Sequence, residues 1–135
     1  MRAQRSSRNV RKLLVIDDDL RLLASYRDLL APYGFEILTA VNGENAIVLL
    51  EENPDVMLVI LDVLMPTMDG KQWLRWYHQQ KKECPVIVIS AYKFTEADVD
   101  LVPTAILEKP FHVAEFLDLV GLFCGLGTPV GSFIS

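Results

Sequence analysis

The strongest constraint on how this chain folds is the recurrence of short, uninterrupted apolar runs: Leu13 to Ile16, Val56 to Leu61, Val86 to Ile89 and Ala105 to Leu107. A strand that alternates apolar and polar residues buries one face, whereas a strand apolar at successive positions must bury both. That condition is met when helices cover both sides of a parallel sheet. A weaker fifth run, Phe35 to Ala40, fits an edge or near-edge strand. With 135 residues, 51% of them hydrophobic, the chain has material for one core.

Helical spacing and helix-end signals fill the intervals between the runs. Asp19 caps a predicted helix bearing Leu20, Leu23 and Leu30, which stops near Pro32 and Gly34. Asn42 caps a second, with Ala46, Ile47 and Leu50 inward, ended by Asn53 and Pro54. A third runs from about Asp69 to Lys82, a short fourth from Thr95 to Val102 before Pro103, and a fifth from about Val113 to Cys124. Five β-α repeats in so short a chain imply right-handed crossovers. The expected fold class is therefore α/β: a flavodoxin-like, doubly wound, five-stranded parallel sheet of order 2-1-3-4-5 with five helices.

Charge and cysteine usage narrow the function classes. Residues 1 to 12 carry five basic groups, Arg2, Arg5, Arg8, Arg11 and Lys12, and no acid, leaving eight basic against eighteen acidic residues in the remainder. An acidic body argues against nucleic acid as the partner of the folded domain. The basic arm, residues 1–11, reads as a solvated, frayed terminus. Cys84 and Cys124 offer neither metal spacing nor a disulfide framework, which suits a reducing compartment. The longest apolar stretch, Leu119 to Leu126, falls far short of the ~20 residues that span a bilayer. A cytoplasmic chain without a membrane partner is expected.

In open α/β sheets, ligands bind outside the carboxyl ends of the strands, at the point where strand order reverses. Here the first strand runs into Asp17, Asp18 and Asp19, and the third ends in Asp62. The fourth ends in Ser90, and the fifth is followed by Lys109 and Pro110. Two like charges ~4 Å apart repel by roughly 4 kcal/mol at an effective dielectric of ~20, so positive charge must offset the acids. Lys109 supplies one such charge. An oxygen-only donor set without histidine suits a hard cation, pointing to a Mg²⁺ site on Asp18 and Asp62, with Asp17 contributing directly or through water. A carboxylate beside Mg²⁺ and an ammonium group can attack phosphorus and form an aspartyl phosphate. Asp62, on the central strand, is the expected nucleophile, with Ser90 bonding a phosphoryl oxygen.

These motifs resemble those of the receiver domains of two-component response regulators. The resemblance extends from Lys12 to about Cys124 and rests on LLVIDDD, LDVLMPTMDG around Asp62, VIVISA with its hydroxyl at Ser90, and EKPF with Lys109. It implies that Asp62 is the phosphoacceptor, that Asp17 and Asp18 hold Mg²⁺ together with the backbone carbonyl of Leu64, and that Ser90 is the switch hydroxyl. It also implies a cis Lys109-Pro110 bond, a receiver domain over residues 12–125 and a tail or linker from 126 to 135. The implied partners are a histidine kinase or phosphotransfer protein upstream and a downstream protein, or a second copy, at the face of the fourth helix, fifth strand and fifth helix. Catalysis would be confined to phosphoryl transfer to, and hydrolysis from, the chain's own aspartate.

The chain departs from that pattern in three places. Ile106 stands where the family often has a switching aromatic, three residues before Lys109. Only 18 residues separate Ser90 from Lys109, which shortens the fourth helix. Leu64 and Tyr92 replace positions that are often polar, and crowding of the attacking water predicts slow dephosphorylation. Ile106 and the short fourth helix favour one alternative, a degenerate receiver that signals without phosphorylation. A haloacid-dehalogenase-type phosphatase is a weaker one, because its acid pair, Asp17 and Asp19, is followed by Arg21 where Thr or Val belongs. An FMN electron carrier conflicts with the triply acidic first loop.

Elsewhere the pattern reads as packing. Trp73 and Tyr77 share a helix face and are expected against the sheet, with His78 on the surface. The fifth helix has a core stripe of Val113, Phe116, Leu117, Val120 and Cys124, and a second stripe of Leu119, Leu122, Phe123 and Leu126. That second stripe is expected either to form an interface or to be covered by the tail.

Overall fold

The computed structural model describes residues 10–63, 68–80, 84–91 and 105–127. Five strands, β1 (Arg11–Ile16), β2 (Phe35–Ala40), β3 (Val56–Val63), β4 (Val86–Ser90) and β5 (Ala105–Glu108), form one parallel sheet in the order β2-β1-β3-β4-β5. The order is the expected one, and the weak Phe35 run is an edge strand. The described helices are α1 (Leu20–Leu30), α2 (Gly43–Glu52), α3 (Met68–Gln79) and α4 (Val113–Cys124). The helix expected over 95–102 lies outside the described residues, so the helix expected as fifth is α4 here.

Successive strand residues feed opposite cores, which is why the runs are apolar throughout. Leu14, Ile16, Val59, Leu61 and Val88 pack on one face with Ala46 and Leu50 of α2 and Trp73, Leu74 and Tyr77 of α3. Leu13, Val15, Leu58, Ile60, Ile87 and Ile89 pack on the other with Leu23, Tyr26 and Leu30 of α1 and Phe116 and Val120 of α4. The Trp73 and Tyr77 rings stack at 5.1 Å, and His78 is exposed.

The predicted caps are in place. Asp19 Oδ1 accepts from the Arg21 amide at 2.9 Å, and Asn42 Oδ1 accepts from the Asn45 amide at 2.8 Å. After α1 a short 3₁₀ turn, Ala31–Tyr33, ends at Gly34 with φ +88°, a left-handed conformation that glycine adopts without a Cβ penalty.

One position of α4 departs from the expected core stripe. Val113, the first residue of the helix, is exposed. The second stripe is largely covered: Leu119, Phe123 and Leu126 pack against the core, and Leu126 folds back over Gly121. Leu122 alone of that stripe remains strongly exposed, at 75%. Cys124 is half-buried, and burial pushes its thiol up to about 11.

Arg11, counted with the basic arm on sequence grounds, is the first residue of β1. Its guanidinium donates to the carbonyls of Cys124 (3.0 Å), Gly125 (2.7 Å) and Tyr33 (3.1 Å) and lies 4.3 Å from the Phe35 ring centroid. The exposed carbonyls at the end of α4 thereby gain a cationic donor. Residues 1–9 lie outside the described residues.

Candidate functional site

Strand register places the predicted polar residues on one edge. Ile16 pairs with Leu61, so Asp17, just past the end of β1, and Asp62, next to last in β3, stand side by side at the switch point. Val63 pairs with Ser90, and Ser90 with Glu108, which brings Lys109 next to the end of β4. The Lys109 amide donates to the Ser90 carbonyl at 2.9 Å, and the Lys109-Pro110 bond is cis. Among the described residues, Asp17, Asp62 and Ser90 are the buried polar side chains, and all three lie at this edge.

Asp62 is held on both carboxylate oxygens. Lys109 Nζ donates to Oδ1 at 2.6 Å, and the Tyr26 hydroxyl donates to Oδ2 at 2.6 Å. The Asp62 side chain has no exposed surface, whereas Lys109 keeps partial access to water. Such short, charge-assisted bonds to a buried carboxylate hold its plane.

Asp17 is in a different position. Its Oδ1 accepts from the Asp19 amide at 2.9 Å, but its Oδ2 is buried with no hydrogen-bond partner. Burial pushes this carboxyl up to about 7, the adjacent Asp62 and Asp18 charges push the same way, and the Asp19 amide opposes them. An unpartnered, buried carboxylate oxygen next to a second carboxylate has a donor set and a charge deficit that fit a hard cation. Asp18 is exposed, and among the described residues no three acidic, His or Cys side chains converge on a metal position. Two carboxylates are sufficient for Mg²⁺, which keeps waters and takes phosphoryl oxygens. Leu64 and Tyr92 lie outside the described residues.

Asp19, the second acid of the phosphatase-type pair, commits its Oδ1 to the cap of α1. Ile106, at the position of the expected aromatic, is 40% exposed on β5.

Tyr26 is the site residue that motif spacing did not reveal. It lies on the inward stripe Leu23, Tyr26, Leu30 of α1, with its ring 5.4 Å from that of Phe116. Burial and the Asp62 carboxylate push its hydroxyl far above the ordinary tyrosine range, so it remains a donor. One signal was available in the sequence: a tyrosine inside an otherwise apolar stripe needs a buried partner for its hydroxyl.

Comparison with known proteins agrees with this geometry. Residues 13–121 match the model of the response regulator receiver domain. The chain belongs to that family. It is 36% identical over 110 residues to the transcriptional regulatory protein CpxR of Klebsiella pneumoniae, covering 78% of this chain and 46% of CpxR. The chain thus spans about half the length of the curated relatives it matches. Among solved structures, TrrA of Thermotoga maritima, in complex with Mg²⁺ and a beryllium fluoride, superposes with TM-score 0.72 at 28% identity, covering 84% of this chain and 99% of TrrA. A chain of the CheX–CheY–BeF3–Mg²⁺ complex of Borrelia burgdorferi gives TM-score 0.71 at 29% identity, covering 83% of this receiver and 87% of that chain.

Proposed function

We propose that this receiver takes a phosphoryl group onto Asp62 in a Mg²⁺-dependent reaction, from a histidine kinase or phosphotransfer protein in the cytoplasm. The observation that carries the reading is the pairing of a fully buried Asp62, gripped by Lys109 at 2.6 Å, with an Asp17 oxygen that is buried and unpartnered. One group has its cation, and the other lacks one.

An Asp62 oxygen forms a bond to phosphorus while the donor's bond to phosphorus breaks, and the bonding pair leaves with the donor. Bound at Asp17, Asp62 and the Leu64 carbonyl, with Asp18 acting from the exposed side, Mg²⁺ would supply charge neutralisation for the phosphoryl oxygens. Lys109 holds Asp62 before transfer and balances the phosphoryl charge after it. Ser90, at the end of β4, bonds a phosphoryl oxygen. The adduct biases the face of β5 and α4 toward a downstream protein or a second copy. With Ile106 on β5, that response does not use the family's aromatic swing.

The test is intact mass after incubation with acetyl phosphate and Mg²⁺, beside Asp62→Asn and an EDTA control. One labile phosphoryl adduct, absent from both controls, is expected. No adduct from acetyl phosphate or from a phosphohistidine donor, or an adduct that survives Asp62→Asn, would sink the reading.

A further inference from the structure

We infer that the Tyr26 hydroxyl sets the lifetime of the phosphorylated state by bonding the reacting carboxylate of Asp62; this rests on Asp62 being the phosphoacceptor. The contact joins two elements by way of a buried side chain. Tyr26 projects from the middle of α1, its ring packs on Phe116 of α4, and its hydroxyl reaches Asp62 Oδ2 at 2.6 Å across the helix-sheet interface. Metal and lysine chemistry do not need this bond. Lys109 already holds Oδ1 and carries the positive charge.

A neutral donor favours the ionised carboxylate over its acyl phosphate, because the carboxylate shares a full negative charge between two oxygens and is the better acceptor. The same carboxylate is the nucleophile in the forward reaction and the leaving group in hydrolysis. In hydrolysis a water oxygen bonds to phosphorus, the bond from phosphorus to the Asp62 oxygen breaks, and its electron pair returns to the carboxylate. The water's proton leaves with inorganic phosphate or solvent. Whichever oxygen attacks, the Tyr26 bond therefore slows adduct formation and speeds adduct loss. This effect is separate from water access.

Tyr26→Phe keeps the ring on Phe116 and removes only the hydroxyl. A hydrogen bond to a charged acceptor weighs about tenfold or more in an equilibrium, so the variant should gain roughly threefold in the rate of adduct formation and roughly threefold in adduct lifetime. Acetyl phosphate with Mg²⁺ loads both proteins, and intact mass follows formation and then decay after donor removal. A general loss of structure would move the two rates together, whereas loss of this bond moves them oppositely. An independent readout is the slowly exchanging hydroxyl proton in the ¹H spectrum of the unphosphorylated protein, absent in Tyr26→Phe and displaced in Asp62→Asn.

A folded Tyr26→Phe with unchanged or shortened lifetime overturns the inference, as does a parallel fall of both rates. Wild type that forms no adduct from any donor overturns the phosphoacceptor reading, and the lifetime claim falls with it. Absence of the hydroxyl signal from wild type overturns the inference alone.

Discussion

The two ends of β1 handle charge in opposite ways. At the amino end, Lys12 Nζ reaches Asn53 Oδ1 at 3.0 Å and Asp55 Oδ2 at 3.2 Å, and Arg11 next to it bonds three carbonyls. Each cation there has oxygen partners. At the carboxyl end, five residues further along, Asp17 is 2% exposed and one of its oxygens has no partner. A stability-directed edge satisfies its charges internally, whereas a ligand-directed edge retains a deficit for the ligand to fill. The free energy withheld from folding at Asp17 is available for binding a cation.

Neutralising Asp17 gives the largest effect. Losing a residue that only orients a metal ligand typically costs ten- to a hundredfold in affinity, and losing a ligand costs no less, so Asp17→Asn should weaken Mg²⁺ binding by at least about tenfold in calorimetry. Without metal the same variant should be more stable than wild type. The folded-state pKa of Asp17 lies above the unfolded value, so the native state binds more protons between pH ~4 and ~7. Its contribution is therefore favourable at the acid end and is lost as pH rises through about 7. Denaturant titrations in EDTA should show wild type losing on the order of 2–4 kcal/mol relative to Asp17→Asn across that window. Parallel pH profiles for the two proteins would break the contrast between the ends of β1.

At the opposite end, Arg11→Ala should cost ~2 kcal/mol in the same titrations, since it removes charged donors from carbonyls at the end of α4 and a cation from the Phe35 ring. Mg²⁺ affinity should not change. Arg11→Lys keeps the charge but loses the fork that serves Cys124, Gly125 and Tyr33 together, so it should recover less than half of the loss. A shift in Mg²⁺ affinity with Arg11→Ala would show that the two edges are coupled.

What the sequence made legible follows the range of each interaction. Strand positions came from apolar runs because both-face burial is written into every position from Leu13 to Ile16 and Val56 to Leu61, and strand order then followed from the β-α alternation. Asp17, Asp62, Ser90 and Lys109 were legible because a strand end is a position along the chain, and parallel register then aligns those ends. Tyr26 was not assigned to the site because its partner depends on the distance between α1 and β3, which no spacing within α1 encodes. Arg11 was counted with the basic arm because its acceptors are backbone carbonyls, which every residue carries and no sequence pattern singles out. Val113 continued the apolar stripe in sequence, yet at the first position of α4 it is exposed. Periodicity reports which face of a helix turns inward but not where the neighbouring layer stops.

The smallest expected effect separates the edges by salt. Asp55 is more than half exposed and Lys12 about a fifth, so their pair belongs to the surface class worth ~0.5–1 kcal/mol. Lys12→Met keeps an apolar stem of similar length and removes the ammonium group. Its deficit against wild type should be largest at low ionic strength and shrink toward the Asn53 hydrogen bond alone by ~1 M NaCl, where the screening length is ~3 Å. The acidic pair behaves differently. Asp17 and Asp62 are both buried, and buried charges are screened much less than exposed ones, so the stability difference between wild type and Asp17→Asn at neutral pH should persist in salt that erases the Lys12 deficit. If monovalent salt removed both differences equally, Asp17 would be exchanging charge with solvent, and its deficit could not select a divalent cation.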